Sequence, residues 1–476
     1  MKVPFLNQTG GSRSRDVDYQ LTQNWYPELT PTGKSQIALY PTPGLTLFGN
    51  VGTGPIRGSI VFGDYLYVVA GNTVYQVNNA GGHTALTGTL STTGGRVSMA
   101  HNGTIMWIAD GTNGYAVTST TVTTSTQSNY PDTATQVVFF DGRFIVNDPT
   151  NTGRWYLSET YINDGTTESY WTATGFATAE RDPDALVSII ANNRQLWFIG
   201  ASTAEPWYNA GALTVPYEPI QNGFSEWGCA AEHSPATADG SVFWLTKNKQ
   251  GQGQVVQTKG YAPQVISTDA IATKIADMAV ISDAFGYTYQ AYRHTFYVLT
   301  FPTEAVTLVY DIATNMWHEW SSKDIGRHRG NSHSFFNGEH VIGDYSDGKL
   351  YKLDYAVFTD NGDVITRKRR SPHLHADDRM AHHRSIRIDF EEGVGNASDT
   401  DPQAMLRWSD DGGHTWSNEY WQPIGKVGEY RNKAIWRNKG RPDDRVYELT
   451  ITDGVKAVVI DGYIDTDMTQ RENDGA

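Results

Sequence analysis

The amino-acid sequence predicts an all-β protein centred on a β-propeller of about seven blades. The first observation is composition: aromatic residues make up 12% of 476 residues and 47 glycines punctuate them, which favours strands and tight turns over helices. The second is a repeated pattern of strand, polar turn, apolar strand, turn and strand. The third is the spacing of this pattern, roughly 46 residues, which is typical of a four-stranded propeller blade.

Seven segments carry the repeat: Ile56–Val77, Arg96–Ser119, Thr135–Ser158, Leu186–Gly211, His233–Thr258, Tyr287–Trp320 and Ser332–Asp354. Each has a turn before an apolar middle strand such as "YLYVV" or "VFWLT". We expect these turns at Gly63-Asp64, Asn102-Gly103, Asp141-Gly142, Asn192-Asn193, Asp239-Gly240, Arg293-His294 and Asn337-Gly338. Asn and Gly tolerate positive φ, which hairpin turns need, and a strand that is apolar on both faces is buried on both.

Two regions flank the predicted propeller, which we place at residues 56–359. Residues 1–55 contain "NWYPEL" and "ALYPTPGLTLFG", rich in Pro and aromatic residues without sustained alternation. They predict an extended N-terminal arm laid on another surface. Residues 360–476 have denser charge and strand-like runs such as "RSIRIDFEE" and "RVYELTIT", which predict a C-terminal β-sandwich-like domain.

One helix is predicted within "STDAIATKIADMAVISDA". Asp269 is a candidate N-cap, and Ile271, Ile275 and Met278 recur at helical spacing on one face. We expect this helix to be a packing insertion between two blades.

Charge and cysteine content limit the classes of function. The formal net charge is −15, which argues against a protein that grips nucleic acid over its whole surface, because that grip depends on Lys and Arg. Cys229 is the single cysteine, so no disulfide forms within the chain and assembly in a reducing compartment is expected. No signal-peptide pattern and no 18-residue apolar run occurs in the sequence, so no membrane insertion of this chain is expected.

The stretch "SDDGGHTW" fits the Asp-box pattern, a hairpin motif of sialidases and many propellers, through Ser409, Asp411, Gly413, Thr415 and Trp416. Its carboxylate and hydroxyls are expected to tie down a loop by binding local N–H groups, with Trp packed behind. A glycosidase would also need an arginine cluster and a nucleophile pair, and "GPIRG", with Arg57, resembles the sialidase arginine motif only loosely. The structural interpretation of the Asp-box is therefore favoured.

The segment "RKRRSPHLHADDRMAHHRSIR" is basic within an acidic protein. Together with the aromatic start of the arm it predicts a partner interface, formed by Trp25, Tyr26, Pro27, Arg367, Lys368, Arg369 and Arg370. His373, His375, His382 and His383 have spacing that a metal could use, but no Cys accompanies them, so a plain solvated loop stays open as an alternative. The sequence has no P-loop, dinucleotide, zinc-protease or nucleophile-elbow motif. We therefore expect no cofactor, no metal and no enzyme activity.

Several blocks resemble the tail hub proteins of short-tailed phages, also called nozzle or packaged-DNA stabilisation proteins. They are Asn24–Val77, Asp182–Gly211, Phe224–Leu245, Gly260–Ile271, Ser409–Ser417 and Arg445–Ile464. The blocks extend over most of the chain, and "LWFIGASTAEPWYNAG" and "FSEWGCAAEHSPATADGSVFWL" are the most distinctive.

The resemblance implies a homohexameric tube in the virion, assembled in the host cytoplasm below the portal and its adaptor ring. It also implies contact with a tail plug or needle, attached tailspikes or fibres, and packaged double-stranded DNA that passes without sequence-specific binding. Two rival interpretations remain at this point. One is a carbohydrate-binding or glycosidase-type propeller, prompted by the Asp-box and the many tryptophans. The other is a cellular propeller scaffold.

Overall fold

The computed structural model of the chain describes residues 2–179, 184–247, 251–375 and 380–468. These residues form a β-propeller and a β-sandwich, with one α-helix and one 3-10 turn at Glu168–Tyr170. Four strands come before the first blade: β1 (Leu21–Gln23), β2 (Trp25–Leu29), β3 (Ile37–Pro41) and β4 (Gly44–Asn50).

Six antiparallel units of four strands follow, each ordered from the propeller axis outward as the chain runs. Blade 1 is β5 (Ile56–Phe62), β6 (Tyr65–Ala70), β7 (Thr73–Val77) and β8 (His83–Ala85); blade 2 is β9 (Ser98–His101), β10 (Met106–Ala109), β11 (Gly114–Val117) and β12 (Val122–Thr124). Blade 3 is β13 (Val137–Phe140), β14 (Arg143–Asn147), β15 (Arg154–Leu157) and β16 (Phe176–Thr178); blade 4 is β17 (Leu186–Asn192), β18 (Gln195–Gly200), β19 (Ala204–Asn209) and β20 (Tyr217–Pro219). Blade 5 is β21 (Ala236–Ala238), β22 (Ser241–Lys247), β23 (Gly253–Lys259) and β24 (Ala262–Val265); blade 6 is β25 (Phe285–Ala291), β26 (His294–Phe301), β27 (Val306–Asp311) and β28 (Met316–Glu319).

Blade 7 is completed by a strand from the start of the chain. Its first three strands are β29 (Gly330–Phe336), β30 (Glu339–Asp344) and β31 (Lys349–Asp354), and β4 pairs with β31 as the outermost strand. Leu45 of β4 is fully buried. The ring is therefore closed by antiparallel hydrogen bonds between its two ends, each contributing about 1 kcal/mol net.

Seven apolar clusters fill the spaces between successive blades, which accounts for the seven-bladed ring. The cluster that closes it joins Phe336 and Val341 of blade 7 to Ile56 and Leu66 of blade 1. The other six clusters join blades 1 and 2, 2 and 3, 3 and 4, 4 and 5, 5 and 6, and 6 and 7. The predicted all-β propeller of about seven blades is confirmed.

Helix α1 (Asp269–Ala276) packs in the cluster between blades 5 and 6 through Ile271 and Ile275, as predicted. The cap residue differs from the prediction. Thr268 has extended backbone angles and its side chain accepts a hydrogen bond from the Ile271 N–H, whereas Asp269 lies in the first turn. Thr268 takes the cap because it stands one residue before the first helical backbone angles.

The C-terminal strands are β32 (Thr359–Asp360), β33 (Asp363–Val364), β34 (Arg367–Arg370), β35 (Leu374–His375), β36 (Ala381–Phe390), β37 (Gln403–Ser409), β38 (Tyr420–Pro423), β39 (Ala434–Arg437), β40 (Asp444–Ile451) and β41 (Val459–Met468). The short β32–β33 hairpin extends blade 7 beside β4. The remaining strands build a sandwich. One sheet has the order β2-β3-β41-β36-β39, and the other has β1-β34-β40-β37-β38, with β35 also pairing with β40. The second sheet continues into blade 6 through one parallel pair, Gln23 with Glu319.

Residues 2–55 were expected to form an extended arm laid on another surface, but their strands pair and their apolar side chains pack within their own chain. Strand β4 completes the propeller, while β1, β2 and β3 belong to the two sandwich sheets. Val3 and Phe5 are buried in the sandwich core. The physical reason is that the apolar residues of this segment find unfilled sheet edges and core space within the same chain.

Five of the seven turn predictions match the strand ends. In blade 4 the positive φ angles fall on Asn193 and Arg194, and in blade 6 on Tyr292 and Arg293. These turns are displaced by one residue in opposite directions from the predicted dipeptides. Neither turn contains glycine, and in blade 4 the two adjacent asparagines suit positive φ equally, so the residue types did not fix the exact turn position.

Candidate functional site: domain junction and propeller axis

The junction between propeller and sandwich is organised by three consecutive residues. Asn24 has φ 57° and is fully buried. Its side chain donates to the carbonyl of Ser321 at 2.9 Å and to that of Thr366 at 2.8 Å, and it accepts from the Ser321 N–H at 2.9 Å. One amide thus joins the N-terminal segment, the end of blade 6 and the start of the sandwich.

The next two residues point to opposite sides of β2. Trp25 lies in the sandwich core, and its Nε1 donates to the carbonyl of Ala457 at 2.8 Å. Tyr26 lies in the propeller core between blades 6 and 7 and contacts Phe296 edge-on at 5.4 Å. Because side chains alternate along a strand, adjacent positions clamp the two domains together.

The basic run on β34 also serves the junction. Arg369 is fully buried and donates to Thr22 Oγ1 at 2.9 Å and to Gln20 Oε1 at 2.8 Å. Arg367, equally buried, donates to the carbonyl of Phe358 at 3.0 Å. Burial lowers the pKa of Arg369 to about 9 and that of Arg367 to about 10. Both stay charged near neutral pH, and backbone carbonyls supply most of their partners.

These positions revise the predicted partner interface. Trp25, Tyr26, Pro27, Arg367 and Arg369 are buried within the chain, so their side chains contact the protein itself. Lys368 and Arg370 are partly exposed. The alternation of side chains along a strand could have indicated this burial. Residues two apart on a strand share a face, so an Arg-Lys-Arg-Arg strand places two arginines on the inner side.

The outer face of the same strand carries an ion cluster covered by the Asp-box tryptophan. Arg370 Nε and Arg407 Nε bind the two oxygens of Glu448 at 3.0 and 2.8 Å. Burial alone would raise the pKa of Glu448, but the two arginines hold it below its ordinary value. The Trp416 ring lies 4.7 Å from the Arg407 Cζ and 5.3 Å from the Arg370 Cζ. Trp416 therefore covers a buried salt bridge and is itself only partly buried.

The Asp-box loop has the geometry of a local staple. Asp411 accepts from the Thr415 N–H at 2.8 Å and from the Thr415 hydroxyl at 2.6 Å. The Ser409 hydroxyl donates to Asp411 and accepts from the Gly413 N–H, each at 2.7 Å. Hydrogen bonds from Ser409 and Thr415 hold the pKa of Asp411 well below its usual range. The carboxylate is thus engaged by its own loop.

The Arg57 guanidinium is likewise hydrogen-bonded to backbone carbonyls of its own chain. It is 1% exposed and donates to the carbonyls of Gly71, Thr92 and Gly95 at 2.8, 2.8 and 2.7 Å. Burial lowers its pKa. This guanidinium holds the loop between blades 1 and 2, so it is not presented to a substrate carboxylate as in a sialidase.

The four histidines of the basic segment do not come together at one site. His373 Nδ1 lies 2.5 Å from Asp444 Oδ2, whereas His383 Nδ1 lies 2.8 Å from the Tyr447 hydroxyl. His375 is exposed and His382 partly exposed. Across the described ranges, no group of three or more His, Cys, Asp or Glu is arranged to hold a metal ion.

Cys229 is buried, and its thiol contacts the carbonyl of Ala231 at 2.9 Å. Burial raises its pKa to about 12, so it is a packed thiol. Among the residues that the structure covers, no helix has the length and apolarity needed to cross a bilayer.

Five side chains that sequence reasoning did not single out meet at one end of the propeller axis. They are Arg96, Gln136, His233, Phe285 and Asn331, located just before or at the start of the inner strands of blades 2, 3, 5, 6 and 7. The Arg96 Cζ lies 4.1 Å from the Phe285 ring centroid, and its Nη1 donates to the Asn331 carbonyl at 2.6 Å. Gln136 Nε2 lies 3.1 Å from His233 Nδ1. Blades 2 and 6 are not neighbours in the ring, so these contacts cross its centre and close the axis at this end.

A groove lined by aromatic side chains lies on the surface of the sandwich. Trp408 and Tyr420 stack at 5.1 Å beside a groove of about 510 Å³, which Trp421, Gln422, Arg437 and Lys439 also line. Trp421 is 55% exposed, and Lys439 Nζ lies 4.0 Å from the Tyr420 centroid. Aromatic faces and polar donors therefore share one surface.

Comparison with solved structures returns matches of low similarity. The N-terminal domain of Nup159 has 9% identity and a TM-score of 0.41, with 70% of this chain and 98% of that one covered. Virginiamycin B lyase from Staphylococcus aureus has 13% identity and a TM-score of 0.41, covering 65% and 98%. Streptogramin B lyase has 11% identity and a TM-score of 0.43, covering 66% and 98%.

Comparison with protein families is decisive. Residues 1–358 match the family described as Bacteriophage P22 Gp10, beta-propeller, and residues 366–467 match Bacteriophage P22 Gp10, beta-sandwich. No curated protein sequence matches. Because the two matches cover most of the chain and agree with the two folds found along it, the chain belongs to the family of bacteriophage P22 Gp10, the tail hub or nozzle proteins of short-tailed phages, and is a structural protein of the phage tail.

Proposed function

We propose that this chain forms the hub, or nozzle, of a short phage tail. In this role it extends the channel of the portal and adaptor ring, helps to retain packaged DNA, conducts that DNA on ejection and anchors tailspikes or fibres. It acts in the virion as a homohexamer, after assembly in the host cytoplasm, and meets a plug or needle. Membership of the family over both domains is the observation that carries the proposal.

The closed propeller axis supports a conduit between copies. Arg96 of blade 2 reaches Phe285 of blade 6 across the ring centre. A DNA duplex therefore has no path along the axis of one propeller, and a DNA channel must run between several copies of the chain. A ring of rigid protomers meets this requirement, which favours the hexameric tube over a single-chain pore.

The placement of charge supports passage of DNA without sticking. The chain carries a formal charge of −15. Arg57, Arg367, Arg369 and Arg445 are each at most 3% exposed, so part of the positive charge lies inside the protein, away from any nucleic acid. An acidic surface repels phosphates and lowers the residence time of DNA.

Mass photometry of the purified chain with and without its adaptor ring tests the proposal, followed by imaging of the complex. We expect six copies on the ring and an open channel between them. The ring from an unrelated tail is the control and should not bind. A chain that stays unbound to its own ring, or one whose complex has no continuous channel, contradicts the proposal. A gel-shift experiment in low salt should give no retention of duplex DNA.

The aromatic groove favours one second candidate, binding of a carbohydrate. Apolar ring faces with a few directed polar groups are the usual composition of a small-ligand site, and Trp421 and Lys439 provide both. Host polysaccharide should bind the wild type and Tyr430→Ala, since Tyr430 is 71% exposed and does not line the groove, but not Trp421→Ala. Equal binding by all three proteins would exclude the groove. Release of sugar from a fluorogenic sialoside would instead indicate an enzyme.

A further inference from the structure

Two arginines share one aromatic ring at the closed end of the propeller axis. Arg96 precedes β9 in blade 2, and Arg327 precedes β29 in blade 7. Their Cζ atoms lie 4.1 and 5.8 Å from the centroid of Phe285. Both also contact Asn331: Arg96 Nη1 donates to its carbonyl at 2.6 Å and Arg327 Nη2 to its Oδ1 at 3.4 Å. Two positive charges are thus held on one residue and one ring.

No carboxylate forms an ion pair with either guanidinium within the described parts of the chain. Asp344, the nearest candidate along blade 7, is taken by Arg329 at 2.8 Å and by the N–H of Ser346 at 2.8 Å. Asp344 and, more weakly, Asp283 attract Arg327 only from beyond ion-pair distance. Arg327 is 4% exposed and its Nε has no hydrogen-bond partner.

This arrangement is costly unless an anion is present. Buried charges are ordinarily paired, because removal from water without a counterion costs several kcal/mol. Burial, and then the neighbouring Arg327, lowers the pKa of Arg96 to about 10, and burial lowers the pKa of Arg327. Both remain protonated at neutral pH. Arg96 as a whole residue is only partly buried, whereas Arg327 is buried.

The groups in direct contact with the two guanidiniums carry no negative charge. Phe285 is apolar, Asn331 is neutral, and burial, followed by repulsion from Arg96, lowers the pKa of His233 to about 3. His233 is therefore a neutral imidazole near pH 7, able to donate a hydrogen bond without adding charge. Glu232 accepts a hydrogen bond from Gln136 Nε2 at 3.2 Å, and burial raises its pKa.

We propose that Arg96 and Arg327 form a binding site for a small oxyanion of the phosphate or sulfate class at the closed end of the propeller axis. Planar guanidinium groups present paired N–H donors that match tetrahedral oxyanions. The bound anion neutralises both cations and ties blades 2, 6 and 7 together across the ring. The closed axis excludes a duplex, so the ligand in this proposal is a dissolved anion and not the DNA backbone.

Isothermal titration of the full chain with sodium phosphate and with sodium sulfate, against sodium chloride at equal ionic strength, tests the site. We expect one anion per chain, with a parallel rise in melting temperature that grows with the logarithm of anion concentration. Arg96→Gln should bind at least tenfold more weakly. Arg441→Gln, a change at an exposed arginine in the sandwich, should bind as the wild type does.

Absence of binding to the wild type, or equal binding by Arg96→Gln, overturns the proposal. Stabilisation by duplex DNA at the same phosphate concentration, without stabilisation by the free ion, also overturns it. If Arg96→Gln does not fold, a structure of the wild type grown with selenate decides the matter. Selenate between Arg96 and Arg327 supports the site, and selenate only elsewhere refutes it.

Discussion

Replacing Trp25 tests whether two adjacent residues hold the two domains together. Trp25→Ala empties a fully buried position in the sandwich core and removes the donor to Ala457. Truncation of a buried tryptophan costs about 3–5 kcal/mol, and the lost hydrogen bond leaves a carbonyl unpaired at a cost of about 1 kcal/mol or more. The expected loss of about 4–6 kcal/mol is comparable with the whole stability of many domains, so the sandwich should open locally.

Hydrogen exchange followed by mass spectrometry locates the effect. In Trp25→Ala, exchange should rise in β36 and β41 of the sandwich and stay unchanged in blades 1–4. In Tyr26→Ala the rise should instead fall on blades 6 and 7, because Tyr26 packs there. Leu29→Ala on the same strand is the control, since Leu29 is 44% exposed. Equal exchange in Trp25→Ala and Leu29→Ala, or faster exchange in the propeller alone in Trp25→Ala, would contradict the assignment of Trp25 to the sandwich core.

Three further predictions concern other parts of the chain. Deletion of residues 1–30 leaves the closing strand β4 in place but removes core residues of the sandwich, so limited proteolysis should yield a stable propeller fragment, and the truncated chain should be missing from purified particles. Asp411→Ala should speed exchange of the Thr415 amide with little change at the Gly413 amide, which Ser409 holds, and uniform acceleration of both amides would contradict the staple. Burial raises the pKa of Asp360 to about 6 from 3.8, so its contribution to stability is present below pH 3.8 and is lost as the pH rises through 6. Relative to Asp360→Asn, the wild type should lose roughly 3 kcal/mol between pH 4 and 7 in urea unfolding, and parallel pH curves would contradict this.

The propeller was predictable because the residues that define each blade lie close together in the sequence. Each blade repeats a turn dipeptide and an apolar middle strand within about 25 residues, and short-range periodicity records both. Helix α1 was found for the same reason, through Ile271 and Ile275. The one-residue displacements in blades 4 and 6 occur where the turn lacks glycine.

The junction was not predictable because its contacts join residues hundreds of positions apart. Strand β4 pairs with β31, and Arg369 contacts Phe5 and Thr22. No local pattern identifies such partners. The basic run on β34 appeared to be a surface patch, since arginine is rarely buried, and only the carbonyls supplied by the N-terminal segment make its burial possible.

Closure of the ring by β4 has a consequence for synthesis of the chain. Residues 44–50 leave the ribosome early, whereas their partner β31 ends at residue 354. At a translation rate of roughly 5–20 residues per second, the first strand waits on the order of 15–60 seconds with its edge unpaired. During that interval β4 is open to pairing with a neighbouring nascent chain, so polysomes that make this protein are where strand-swapped by-products should first arise.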